Sequence, residues 1–169
     1  MKPALVPNPE ADDAPLRHER AAVRITGQFF LRQAALLIDG VGGDLMLGLV
    51  YAAITAANTE HMDDGVKSRY AELEEAPPDD LRRPISVLAL SESLRLPYET
   101  TRRYVSRLEE LGIAMRVGRA GVIITKAAHE RPEAIDNIRR SYADVHRFVA
   151  ALRKAGVDVD SMRLSLIHI

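Results

Sequence analysis

The 169-residue sequence contains no cysteine and no tryptophan, only three phenylalanines and five tyrosines, and almost no net charge, −1 at pH 7. Without cysteine there are no disulfides and no thiolate metal ligands, a composition that fits a reducing cytoplasm. No apolar run reaches the roughly eighteen residues expected of a membrane-spanning helix, and the opening MKPALVPNPEADD has no secretory apolar stretch. The expectation is a soluble, cytoplasmic protein with no membrane partner. Catalytic patterns are missing too. The histidines His18, His61, His129, His146 and His168 are scattered, with no Ser/His/Asp or paired-carboxylate arrangement tied to a recognisable turn. The chain is therefore read as a non-enzyme without a cofactor. His61, Asp63 and Asp64 form the one grouping that resembles a metal cluster; no second histidine stands at ligand spacing, so no metal is assigned.

What is present is enough apolar residue, 47%, for one domain, or for a small domain with helical extensions. The near-zero charge hides an uneven distribution. Arg95 to Arg119 holds six arginines against three glutamates, whereas Glu60 to Leu81 holds eight acidic residues against Lys67 and Arg69. Nucleic-acid binding depends on the local field rather than on the whole-chain sum, so the basic segment carries the information.

That segment is the most patterned stretch of the chain. From Pro84 to Thr125 it reads PISVLALSESLRLPYETTRRYVSRLEELGIAMRVGRAGVIIT. Ser86 can cap free N–H groups, and Val87, Leu88, Leu90 and Leu94 follow at helical spacing. Leu96-Pro97 breaks this helix, and Pro97 suits the first turn of the next. The second helix is expected over about 98–111, with Thr101, Tyr104, Val105, Leu108 and Leu111 on one side and Gly112 as its stop. Glu99, Arg102, Arg103, Ser106 and Glu110 fall on the other side. Two short β-prone runs follow, Ile113–Val117 and Val122–Thr125, joined by the four residues Gly118 to Gly121, a hairpin signal.

The order helix, turn, helix, hairpin, carried by the LSESLRLP turn, the TTRRYVSRLEELG helix and a hairpin closing on Ile124-Thr125, resembles the DNA-binding half of bacterial winged helix-turn-helix transcription regulators. The resemblance covers about forty residues. With helices before and after, the layout is similar to that of the MarR group, although the wing is shorter and lacks the Asp-x-Arg element of that group. It implies a recognition helix in the DNA major groove and a wing on the backbone or minor groove. Arginine can bond guanine O6 and N7 in a bidentate manner, which suits Arg102 and Arg103. Tyr98, Glu99, Thr100 and Ser106 are the further candidates on the helix, Arg107 for a neighbouring phosphate, and Arg116 and Arg119 on the wing.

The flanks are expected to be helical. Residues 1–15, with four prolines, read as a disordered lead-in. Residues 16–83 form an N-terminal helical region and acidic connection. Within it, Val23, Phe29, Phe30, Ala34, Leu37 and Ile38 are spaced for burial. Gly40 is expected to stop this helix and Asp44 to cap the next; the intervening glycines lack the Gly-Lys-Ser/Thr ending of a phosphate loop. The helix over 45–58 is apolar nearly all round, and Gly48, Ala52, Ala53, Ala56 and Ala57 would admit another helix closely. The polar stretch 59–83 reads as a surface connection with a turn or two of helix around Lys67–Leu73. The winged helix-turn-helix occupies 84–126. In the remaining segment, 127–169, Ile135, Ile138, Tyr142, Val145, Val149 and Leu152 make an a/d stripe over 130–154 that needs a partner helix, and Gly156 ends it. The apolar tail LSLIHI has no stated partner. The expected fold class is thus mainly α with a small β-hairpin, a winged core flanked by terminal helices that build a homodimer. A small-molecule effector could occupy the cleft between the helical extensions and the winged core, though no residue names it. The alternative is an interaction module that docks on protein and leaves DNA alone.

Overall fold

The computed structural model describes residues 14–159 with the exception of residue 74. The tail 164–169 and all but the last two residues of the expected lead-in therefore lie outside the described residues. The elements are α1 (Ala14–Gly40), α2 (Leu45–Thr59), α3 (Asp64–Arg69), a 3-10 turn (Asp79–Leu81), α4 (Val87–Leu94), α5 (Tyr98–Glu110), β1 (Ala114–Val117), β2 (Gly121–Ile124), α6 (Lys126–His129) and α7 (Pro132–Lys154). The chain is mainly helical, with one two-stranded antiparallel sheet among the described residues. No single helix among them is long and apolar enough to cross a membrane. Contacts divide the chain into two units, residues 33–141 and the described parts of 1–32 with 142–169.

In the larger unit, α2 supplies the centre. Asp44 accepts hydrogen bonds from the Met46 and Leu47 N–H groups at 2.8 and 3.1 Å, which satisfies donors a helix start leaves free. Val50 and Ile54 of α2 are fully buried with Leu90 of α4, Val105 and Leu108 of α5, and Val122 and Ile124 of β2. Gly48 lies so close to Leu37 that a Cβ there would stand 2.9 Å from the Leu37 carbonyl oxygen. The close helix approach foreseen for the small residues of α2 is thus made, at Gly48, within the chain. Asn58, also fully buried, ties α2 to the hairpin. Its Nδ2 donates to the carbonyls of Arg83 (2.8 Å) and Val122 (3.3 Å), and its Oδ1 accepts from the Ile124 N–H (2.9 Å).

The acidic connection departs from expectation. Its helix is α3, not a turn around 67–73, because Asp63 accepts from the Val66 N–H at 2.8 Å and starts the helix earlier. Nor is the whole connection a surface feature: Arg82 is buried, its Nη2 donating to the Pro77 carbonyl at 2.9 Å. His61 donates to the Leu81 carbonyl at 3.0 Å. Among the described residues no three metal-binding side chains converge.

In the smaller unit, the N-terminal part of α1 meets the C-terminal part of α7. Phe29 stacks on Phe148 with ring centroids 4.5 Å apart. Asp144, 1% exposed, takes Arg32 at 2.6 Å and Arg147 at 2.9 Å. His18 donates to the Ala155 carbonyl at 2.7 Å beyond the end of α7. Several apolar residues expected inside lie outside. Val23 is 73% exposed and Phe30 61%; Tyr142 and Val145 are exposed as well. The physical reason is geometric: two helices share one narrow seam, and an apolar face wider than that seam stays uncovered within the chain. In the larger unit Ile138 is likewise exposed, while Ile135 is half-buried.

Candidate nucleic-acid interface

The turn between α4 and α5 is built without glycine. Ser86 caps α4 through the Ala89 N–H at 3.1 Å, and Arg95 ends it in the left-handed conformation, φ 53°. The Leu96 N–H then bonds the Ser91 carbonyl at 3.0 Å, closing the helix end as a left-handed cap does. Leu88, expected to belong to the apolar side of α4, is exposed. Pro97 stands one position earlier than expected. It is the N-cap of α5, outside the first turn, and its carbonyl accepts from the Thr101 N–H at 3.0 Å.

On α5 the two sides separate as the spacing predicts. Thr101, Val105 and Leu108 are fully buried, and Tyr104 and Leu111 are half-buried. Tyr98, Glu99, Arg102, Arg103, Arg107 and Glu110 are exposed, while Thr100 and Ser106 are half-buried at the margins of the face. The helix gives way at Gly112, φ 63°, and the Ile113 N–H returns to the Leu108 carbonyl at 2.9 Å.

The arginines of this surface are not equivalent. Arg102 bonds Glu99 at 2.8 Å, Arg107 bonds Glu110 at 2.9 Å, and Arg116 bonds Glu109 at 3.1 Å. Glu99 also raises the pKa of Arg102, chiefly through that hydrogen bond. The first two pairs are exposed, 49% and 69% for Arg102 and Glu99, so water screens them and little holds them in place, whereas Glu109 is half-buried. Arg103 and Arg119 make no ion pair within the described residues. Arg119 sits in the hairpin turn, which has three residues rather than four: Gly121 already pairs with Val117, and the Ala120 N–H bonds the Val117 carbonyl at 3.0 Å. Strand β1 is correspondingly one residue shorter at its start, and β2 runs over 121–124, because Thr125 turns to cap α6 through the Ala128 N–H.

A further backbone pairing stiffens the hairpin. Ile85 and Val122 exchange both of their backbone hydrogen bonds, at 2.9 and 3.1 Å. Gly121 adopts φ 135°, and a Cβ on it would overlap the Ile85 carbonyl. One paired residue after a proline has no period to read, so this bridge is invisible in the sequence.

A partly buried polar cluster was missed as well. Tyr51 Oη and His129 Nδ1 lie 3.3 Å apart. Burial, reinforced by the Arg82 guanidinium, lowers the His129 pKa to about 4, and burial raises that of Tyr51. Burial also lowers the pKa of Arg82, against the pull of Asp79 with its Oδ1 3.5 Å from Arg82 Nε. Against burial, a side-chain hydrogen bond with Thr55 favours the ionised form of Tyr51, while His129 Nε2 is buried without a hydrogen-bond partner among the described residues. The only signal in sequence was a histidine following a strand, one of five. Comparison of the chain with protein-family models, with curated proteins and with solved structures finds no match.

Proposed function

We propose that this chain is a sequence-specific, double-stranded DNA-binding transcriptional regulator of the winged helix-turn-helix type, acting as a homodimer. In this reading α4 and α5 are the helix-turn-helix, α5 enters the major groove, and the β1–β2 hairpin is the wing. One observation carries it. The inner side of α5 is fully engaged in the core, while Arg102 and Arg103 project from the outer side with no packing role. Thirteen residues of α5 span about 20 Å, enough to reach several base pairs. Among the described residues Arg103 has no competing carboxylate, and Arg102 must exchange Glu99 for a base or phosphate. The exposed apolar residues of α1 and α7, Val23, Phe30, Tyr142 and Val145, support a second copy as the partner of those helices.

Titration of labelled duplexes, selected from a random pool and scrambled, at several salt concentrations tests the reading. Arg103→Ala should narrow the gap between selected and scrambled DNA by about 1–3 kcal/mol. Arg119→Ala should weaken binding to both and reduce the salt slope by about one phosphate's worth. Failure of the wild type to bind any duplex at low salt overturns the proposal. The competing reading, a protein-docking module, is favoured by the exposed Leu88 and Tyr98 beside the arginine face; retention on a protein partner without heparin affinity would select it. Sedimentation tests the dimer. Because Val145 is exposed in the single chain, Val145→Asp should leave helix content intact and yield a monomer; a monomeric wild type at tens of micromolar would refute the assembly.

A further inference from the structure

Three carboxylates stand among the arginines of the α5 surface, and their positions differ. Glu109, half-buried, holds Arg116 of β1 at 3.1 Å. Glu110, the last residue of α5, holds Arg107 at 2.9 Å. Glu99 lies in the first turn with its side chain 69% exposed, and takes Arg102 Nε on Oε2 at 2.8 Å. Arg102 and Arg103 follow Glu99 by three and four residues, so both neighbour it on one side of the helix. The N-terminal residues of a recognition helix are the ones that meet base edges. Glu99, Arg102 and Arg103 therefore belong to the reading end of α5, and Glu109 and Glu110 to the other.

A carboxylate carried into a groove flanked by phosphates is repelled by both strands. It is held there only opposite a base-edge donor, and the major groove offers two, cytosine N4 and adenine N6. The adenine amino group stands between two acceptors, its own N7 and O4 of the paired thymine. The cytosine amino group has one such neighbour, O6 of its guanine, and O6 with N7 is what an arginine takes. Parting Glu99 from Arg102 is thus compensated on both sides at one kind of base pair. Arg102 turns to guanine O6 and N7, and Glu99 accepts from N4 of the paired cytosine. The bond between them is a small obstacle, since exposed pairs are weak. Arg103, without an ion pair among the described residues, is left for a second base pair.

We infer that Glu99 is a specificity-determining residue of α5: with Arg102 it reads one G·C pair of the operator, accepting from cytosine N4 while Arg102 bonds the guanine. Glu99 can do so only if α5 enters the major groove, so this role rests on the DNA-binding reading. A first-turn carboxylate also favours the helix dipole, but that contribution is the same on every DNA sequence.

The test alters a duplex selected from a random pool one base pair at a time. Binding of each alteration is measured for the wild type, Glu99→Gln, Arg102→Ala, Arg103→Ala and Glu110→Gln, all changes of exposed side chains. Replacing the G·C pair should cost the wild type about thirtyfold in affinity. Glu99→Gln and Arg102→Ala should each cut that discrimination by about fivefold or more, at the same base pair, and Arg103→Ala should relax a different one. Glu110→Gln removes a similarly exposed carboxylate (64%), and should tighten binding to every duplex without changing the preferences. Putting 7-deazaguanine in place of the guanine removes N7. It should weaken binding by the wild type and by Glu99→Gln alike, but not by Arg102→Ala. Loss of this sensitivity in Glu99→Gln would mean that Glu99 only places Arg102, and would overturn its role as a reader. So would unchanged preferences in Glu99→Gln, relaxation at a pair that Arg102→Ala leaves alone, the same relaxation in Glu110→Gln, or a selected site without the G·C pair. Each of these outcomes leaves the protein a DNA binder. A wild type that binds no duplex at low salt overturns the DNA-binding reading, and this role with it.

Discussion

Replacing Asn58 by alanine is a severe test of how the larger unit is held together. The Thr125 N–H bonds the Ile113 carbonyl, and in an antiparallel pair bonding residues alternate, so the Ile124 N–H points away from β1. Its acceptor is Asn58 Oδ1, at a residue with no exposed surface. Alanine leaves this N–H buried and unpaired, at a cost of about 1–3 kcal/mol. The Val122 carbonyl keeps the Ile85 N–H and loses little, whereas the bond to the Arg83 carbonyl, near the surface, adds about 1 kcal/mol. The expected loss is therefore about 2–4 kcal/mol. For a chain of this size that corresponds to a fall in Tm of roughly 5–15 °C. Asn58→Asp should be at least as damaging at pH 7, because a carboxylate would face the Arg83 and Val122 carbonyls. Its native pKa would be raised, so its deficit should shrink as the pH falls and the acid recovers a donor. Urea unfolding of the three proteins at pH 7 and pH 5 measures all of this. An alanine variant within about 1 kcal/mol of wild type, with an unchanged denaturant slope, would mean that the Ile124 N–H finds water and that the argument from burial is wrong.

Two other perturbations follow from the same unit. With the His129 pKa lowered to about 4 in the folded chain, the unfolded chain binds the proton first, so stability is lost as pH falls from about 6.5 towards 4, by about 3 kcal/mol at most. His129→Gln should remove that component, and parallel stability-versus-pH curves for the two proteins would contradict it. Gly121→Ala should cost more than Gly118→Ala, since a Cβ at Gly121 meets the Ile85 backbone whereas at Gly118 it meets nothing; about 1 kcal/mol is expected at Gly118 from its left-handed φ alone, and equal thermal shifts would refute the Ile85 bridge.

Much of the secondary structure was legible residue by residue because its causes are local. Ser86 and Asp44 cap helices through N–H groups two or three residues on, and Gly112 stops α5 because it tolerates positive φ. The spacing of Thr101, Val105 and Leu108 identified the inner side of α5, and with it the outward direction of Arg102 and Arg103, since a helix repeats on itself whatever surrounds it. Arg95 escaped because an arginine rarely occupies a left-handed cap; nothing in its chemistry announces it.

What escaped otherwise was decided by residues far apart in the chain. Periodicity says which side chains share a face and is silent on what covers that face. Leu88 and Leu90 look alike in sequence, yet one is exposed and the other fully buried. The stripe on α7 is regular, but only the partner within reach determines that Asp144 is buried by Arg32 while Tyr142 and Val145 are left outside. Asn58, Arg82 and His129 are polar residues that composition would assign to the surface. Each is held inside by groups more than about twenty residues away or by a dense local turn, and a hydrogen-bond partner brought in by folding leaves no periodic trace. The local code thus wrote the helix that presents the arginines, while a cavity beside its end exists only because α1, α2, α6 and α7 contribute walls that no single stretch of sequence contains.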